Sequence, residues 1–286
     1  SYTGKQFWNG NEHDRYASDF INERENYFHK PLFNLNWYTK LTDKLGLFST
    51  VYYSGGKGGG TGTFGSMKWN YNAQPTRIVD FDATIAANKA STTGSKGILR
   101  NSVNNQWTVG AISKVNYQFS DALQANVGID WRKAKIYHFR EVRDLLGGEY
   151  FINLNSDKSP RSDFWSAEDT KRRLGDKIDY DFTNTVDWLG FYAQTEYTKG
   201  ILSTYGMAGY STIAYTYTNN FRKDANGNKL YVESGLIDGF QTKGGASVRT
   251  SKTTDIFANV GYVSKVPIFD NVIDDRSGVK ASNPKN

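Results

Sequence analysis

Several stretches of the sequence have the letters of a chemical site, and each must be weighed against a structural role. Gly60-x-Gly62-x-x-Gly65 spells a dinucleotide fingerprint. That motif works only between a strand and the helix that opens on the phosphates, inside a βαβ unit. Ser66-Met67-Lys68-Trp69-Asn70 starts no helix, so a flexible glycine loop leaving the top of a strand is the stronger reading. Lys57 lacks the following Ser or Thr that a phosphate loop requires. Asp224-Ala225-Asn226-Gly227-Asn228 has oxygen side chains at alternate positions. Gly227 is too early and Glu233 misplaced for a calcium loop, so an Asx-Gly turn is expected. His13, His29 and His138 are scattered, and His13 lies in a charged run with Glu12 and Asp14. There is no nucleophile elbow, no H-E-x-x-H and no cysteine. Asp163, Glu168 and Asp169 belong to a charged loop and make no glycosidase pair. No catalytic residue, metal site or cofactor is expected.

Polar residues at strand positions are more informative. Lys114, Asp130, Arg132, Glu196, Lys243 and Arg249 each stand opposite an apolar neighbour. In a water-filled lumen they either line the wall or touch a passing ligand. Aromatic residues in the connections (Trp69, Tyr71, Phe81, Phe164 and Trp165) either stack on a ligand or pack the loops together.

These residues must be positioned by strands. Trp107, Val109, Ala111, Ser113, Val115, Tyr117 and Phe119 fall on one face, and Thr108, Gly110, Ile112, Lys114, Asn116 and Gln118 on the other. After Ser120-Asp121-Ala122, Leu123, Ala125, Val127, Ile129 and Trp131 alternate with Gln124, Asn126, Gly128, Asp130 and Arg132. Period-2 alternation is a strand signal. Each arm reaches the roughly 9–11 residues that a tilted strand needs to cross a bilayer. Similar hairpins are predicted at Leu32–Leu41 with Leu45–Tyr53, at Trp188–Lys199 with Ile201–Tyr217, and at Phe240–Arg249 with Thr254–Val266. In the Ile201–Tyr217 arm, Tyr205, Met207, Tyr210 and Ile213 do not share a face.

The expected fold is therefore all-β: an antiparallel transmembrane β-barrel segment, about eight strands in four hairpins, with short periplasmic turns and long extracellular loops. Strands are expected near 32–53, 107–139, 188–217 and 240–266. Long loops are expected at 54–106, 140–187 and 218–239, with residues 1–31 as a leading loop. The composition agrees. Among 286 residues there are 19 Tyr, 17 Phe, 7 Trp and 28 Gly, no cysteine, and a net charge of +6 without a basic patch, which argues against nucleic acid. Mean hydropathy is −0.63; alternation hides barrel strands from such averages.

Tyr52-Tyr53-Ser54-Gly55-Gly56-Lys57-Gly58-Gly59-Gly60 and the run Phe257 to Val272 (FANVGYVSKVPIFDNV) resemble barrel stretches of TonB-dependent outer-membrane receptors, in the style of those of Bacteroidota. The resemblance implies a single receptor barrel domain over 1–286 in the outer membrane of a Gram-negative bacterium. It also implies active uptake of a scarce or large ligand: a siderophore, haem, cobalamin or a glycan. The partners it implies are outer-membrane lipid, the ligand, and the TonB complex acting through a plug. No plug, TonB box or terminal aromatic strand is found in this sequence, so an internal piece of a longer receptor is expected. The resemblance places ligand contacts regionally, on loops (Trp69, Tyr71, Trp165) and inner wall (Asp130, Arg132, Arg249). Two competitors remain. One is a complete eight-stranded barrel, acting as an adhesin, structural protein or barrel enzyme, whose first and last strands would pair. The other is a soluble β-rich carbohydrate-binding protein, whose Val109, Val115, Leu123, Val127 and Phe191 would point into a core.

Overall fold

A computed structural model describes residues 5–14, 16–21, 23–72 and 78–284. Eight long strands form the wall: β1 (Leu32–Lys40), β2 (Leu45–Gly65), β3 (Gly97–Gln118), β4 (Leu123–Asp144), β5 (Lys177–Lys199), β6 (Leu202–Lys223), β7 (Ile237–Arg249) and β8 (Asp255–Ser264). Each pairs antiparallel with its neighbour in sequence, so the order across the sheet is simply β1 to β8. The sheet does not close; among the described residues β1 and β8 each pair on one side only. Strands make up 63% of the chain and helices 6%.

Turns at one end are short. Leu41 N donates to Leu45 O, Phe119 N to Leu123 O and Thr250 N to Thr254 O. Lys199 pairs with Leu202 across a two-residue turn, where Gly200 takes the positive φ of 60° that such a turn requires.

The register makes the alternation of single strands into rows across the whole sheet. Leu35, Val51, Ala111, Trp131 and Leu189 form one row, and Ile129, Phe191, Tyr210 and Phe240 form another. A third runs Leu47, Val115, Val127, Ala193 and Ala208. Val115, Val127 and Phe191 are 38%, 59% and 48% exposed, so no protein core covers this face. That contradicts the soluble reading, which required them buried. From Leu45 to Tyr53 the apolar face runs about nine residues, roughly 30 Å along the strand. At a tilt of about 35–45° that is close to the roughly 25 Å apolar band of a barrel. The band stops where Lys133 Nζ and Asp187 Oδ1 pair at 3.1 Å, one row beyond Trp131 and Leu189.

The opposite face is polar at the same height. Its rows include Asn116, Asn126 and Gln194, then Thr50, Asp130 and Ser211. Tyr192 lies flat against Gly128 on the neighbouring strand, and a methyl at Gly128 would overlap its ring. Gly128→Ala should therefore cost about 1–2 kcal/mol of wall stability in a urea titration of the full chain. In a Tyr192→Ala background the same change should be nearly neutral.

Beyond the band the strands continue further than their sequence suggests, which narrows all three long loops. The ladder of β2 runs through the glycines to Gly65, so the 54–106 loop shrinks to 66–96. The glycines serve close packing: side chains of Gln106 and Arg100 lie across Gly56 and Gly62, and the backbone of Ser102 crowds Gly59. The 140–187 loop becomes 145–176. The 218–239 loop is largely ladder, because Lys229–Glu233 pairs with the end of β6. Its tip is a turn in which Asp224 Oδ1 accepts from Asn226 N and Asn228 N, and Gly227 has φ 83°. The sequence motif there is structural, and no metal-ligand cluster is found among the described residues.

Residues 1–31 are not simply a loop. Lys5–Trp8 and Asn11–Asp14 join Trp69–Asn70 and Ile78–Asp80 in a small sheet, and Asn26–His29 extends the edge beside β1 in the same register. A helix, α1 (Phe81–Lys89), starts where Asp80 Oδ1 accepts from Ala83 N. Phe81, Val79, Leu99 and Leu146 form its core with Trp8, Met67, Trp69 and Ile85. Another core explains the mixed faces of β6. Beyond the membrane band its polar-face positions turn apolar (Ile213, Tyr215, Tyr217). There they pack with Phe182 under Val266, Val272 and Ile273, from the short helix α2 (Phe269–Val272) and its flanks.

Candidate functional site

The end with the elaborated connections carries a polar cleft of about 500 Å³, lined by His138, Arg161, Asp179, Tyr180, Phe182, Asn219, Phe221 and Arg222 of the wall and its loop, and by Asp275 and Arg276. It exists because β5 is irregular. Its register on β4 shifts between Ile178 and Asp181, and Asp179 adopts a positive φ of 63°. Such bulges re-aim side chains, and a non-glycine residue at positive φ is held by its surroundings. Here Asn153 Oδ1 accepts from Asp179 N at 2.9 Å. The Asp179 carboxylate then bridges two guanidiniums, with Arg140 Nη1 at 2.6 Å and Arg161 Nη2 at 2.7 Å. Arg161 also donates from Nε to Asp179 O and from Nη1 to Asn155 Oδ1. Arg140 lies between the rings of Phe64 and Tyr180, at 5.3 and 5.1 Å.

On the next strands His138 stacks on Phe182 with ring centroids 4.9 Å apart, and its Nδ1 bonds Asn104 Oδ1 at 2.7 Å. Burial pushes the His138 pKa below its ordinary value, while Asp275 and Asp270 pull it back upward. An unfolded chain takes up this proton near pH 6.5, where the folded chain still refuses it. The unfolded state then binds more protons, so stability falls as pH drops below about 6.5. A His138→Phe variant keeps the stacking and loses the proton; between pH 7 and pH 5.5 its urea midpoint should fall less than that of the parent. Tyr217 is fully buried and packs against Phe182. Its hydroxyl donates to Asp275 O at 2.9 Å and accepts from Asn219 Nδ2 at 2.8 Å, and burial pushes its pKa up to about 12. It remains a donor at every physiological pH.

The sequence-predicted positions divide among separate places. Asp130 and Arg132 meet on the lumen face, around Trp188: the indole Nε1 donates to Asp130 Oδ2 at 3.2 Å, and the Arg132 guanidinium lies 5.6 Å from the ring centroid. Asp130 and Trp188 border a second cleft of about 600 Å³ with Tyr192, Gln194 and Gln241. Trp165 stands behind the external cleft, edge-on to Phe221 at 4.8 Å and with Arg172 over it at 4.3 Å. Trp69 packs into the core beside α1, and Tyr71 is exposed. Arg249 is at the short-turn end, paired with Asp255 at 3.1 Å. The cleft residues His138, Arg161, Asp179 and Arg222 were missed. Only their density of mixed charge hinted at them, and that is ordinary for exposed loops.

An open antiparallel wall, apolar on one face and polar on the other, with tight turns at one end and built-up connections at the other, is a transmembrane β-barrel segment. No protein-family model and no curated protein matches the sequence. Solved structures do. The open form of the ferric-catecholate import receptor Fiu from Escherichia coli matches with a TM-score of 0.51 at 10% identity, over 86% of this chain and 37% of Fiu. The closed form of Fiu gives 0.51 at 9% identity, over 93% and 36%. The outer membrane transporter YddB from Escherichia coli gives only 0.31 at 12% identity, over 82% and 34%, and carries no weight here. The chain thus spans little more than a third of the length of these proteins. The likeness is one of fold.

Proposed function

We propose that this chain is part of the single barrel domain of an outer-membrane transport receptor in a Gram-negative bacterium. It takes up a ligand too large or too scarce for passive pores: a siderophore, haem, cobalamin or a glycan. Uptake draws on TonB-supplied energy delivered through a plug. The observation that carries the reading is the registered apolar face over all eight strands, backed by a polar face and crowned by a cleft. The fold shared with Fiu, an import receptor by name, supports transport over catalysis. Among the described residues β1 and β8 each pair on one side only, which speaks against a closed eight-stranded barrel and for a larger wall. Asp130, Arg132 and Trp165 belong to this reading as ligand-facing or cleft-supporting residues; Trp69, Tyr71 and Arg249 would meet ligand only away from the cleft. A deletion strain grown on a panel of iron and glycan sources tests it. Loss of growth on one source, restored by the gene and abolished by collapsing the proton gradient, is expected. Unchanged growth and uptake on every source would overturn it.

A further inference from the structure

We infer that the external cleft takes an oxyanion, a carboxylate or comparable acidic group carried by the transported ligand; this rests on the transport reading and narrows its cargo. Three guanidiniums line the cleft (Arg161, Arg222 and Arg276) against two carboxylates, Asp179 and Asp275. The wall acids are already committed. Asp179 serves Arg140 and Arg161, and Asp163 holds Arg222 by one nitrogen at 3.1 Å while accepting from Lys223 N. Arg222 therefore keeps its second terminal nitrogen. The Arg276 guanidinium makes no ion pair or side-chain hydrogen bond among the described residues. Arg276 acts electrostatically on the neighbouring Asp274 carboxylate, which Ser277 already holds by hydrogen bonds.

Behind the cleft the excess continues. Among the described residues Arg100 makes no ion pair; its Nη1 donates to Gly60 O and Ser102 Oγ, and its buried Nε has no hydrogen-bond partner there. Guanidinium forks match carboxylate geometry with two parallel bonds, and such charge-assisted bonds are roughly twice as strong as neutral ones. Phe182, Tyr180 and Phe221 line the cleft beside them and give it an apolar side. A neutral ligand of equal size would leave the second terminal nitrogen of Arg222 and the Arg276 guanidinium without an anionic hydrogen-bond partner.

The test uses the full-length receptor in detergent, with binding followed by tryptophan fluorescence. Two matched pairs of probes separate charge from shape: ferric citrate against a neutral ferric trihydroxamate, and trigalacturonate against maltotriose. At least one acidic probe should bind, at least tenfold tighter than its neutral partner. Arg276→Gln with Arg222→Gln should weaken it tenfold or more, Arg276→Lys should restore part of the loss, and high salt should weaken it as well. Equal binding within both pairs, no binding of either acidic probe, or affinity indifferent to the Gln variants would each overturn the oxyanion. The growth panel separates the two readings. A deletion strain that fails only on a neutral cargo overturns the oxyanion and leaves transport standing, whereas unimpaired uptake of every source removes transport itself.

Discussion

Val127→Arg lowers the folding free energy of the full-length protein in lipid bilayers by about 2–4 kcal/mol, while Gln241→Arg changes it by less than about 0.5 kcal/mol. Val127 sits in the middle of the apolar face between Val115 and Ala193, and it is 59% exposed with no protein over it. A guanidinium there must shed its water into hydrocarbon, and near the midplane of a barrel that cost is about 2–4 kcal/mol. Gln241 is on the other face, opposite Gly209, where water solvates a charge. Urea titration in vesicles measures both. Similar costs at the two positions would mean that the faces do not differ in solvent.

Asp179→Ala comes next in size and acts locally. Removing the carboxylate leaves two guanidiniums facing each other with no acid between them. Breaking a buried pair costs about 3–5 kcal/mol; the Asp179 side chain is still 21% exposed, so about 2–3 kcal/mol is expected. The loss should appear as a 30- to 150-fold drop in amide protection in the loop around Asn153 to Arg161, with the ladder of β4 and β5 near Val127 and Phe191 unchanged. Asp179→Asn should lose less, because asparagine tolerates positive φ and its oxygen still accepts one hydrogen bond. Uniform loss across the whole sheet would contradict a local role.

What could be read from the sequence follows from where solvent acts as the partner. Inside the membrane band every side chain faces either lipid or water, so Val127, Ile129 and Trp131 alternate cleanly with Asn126, Gly128 and Asp130, and the four hairpins are legible. Above the band, protein covers the wall and the contrast fades. Ile213 and Tyr215 are apolar on the lumen face because Val266, Val272 and Ile273 fold over them. The glycines of β2 look like a loop because what they accommodate, Gln106 and Arg100, comes from a neighbouring strand. Asp179 gives no local signal: its role depends on a bulge and on arginines about 40 and 18 residues away. The short helix α1 had a readable cap in Asp80, yet its few apolar residues sit among loop-like neighbours.

These 286 residues hold no cysteine, and one measurement on them is decisive for the membrane wall. Single cysteines placed at each position from Leu123 to Asp130, spin-labelled in the full-length protein in bilayers, report whether oxygen from the lipid or a water-soluble nickel chelate reaches them. Labels at 123, 125, 127 and 129 should respond to oxygen, and those at 124, 126, 128 and 130 to the chelate. The reversed phase, or an even response along the strand, would contradict a wall with hydrocarbon on one side and water on the other.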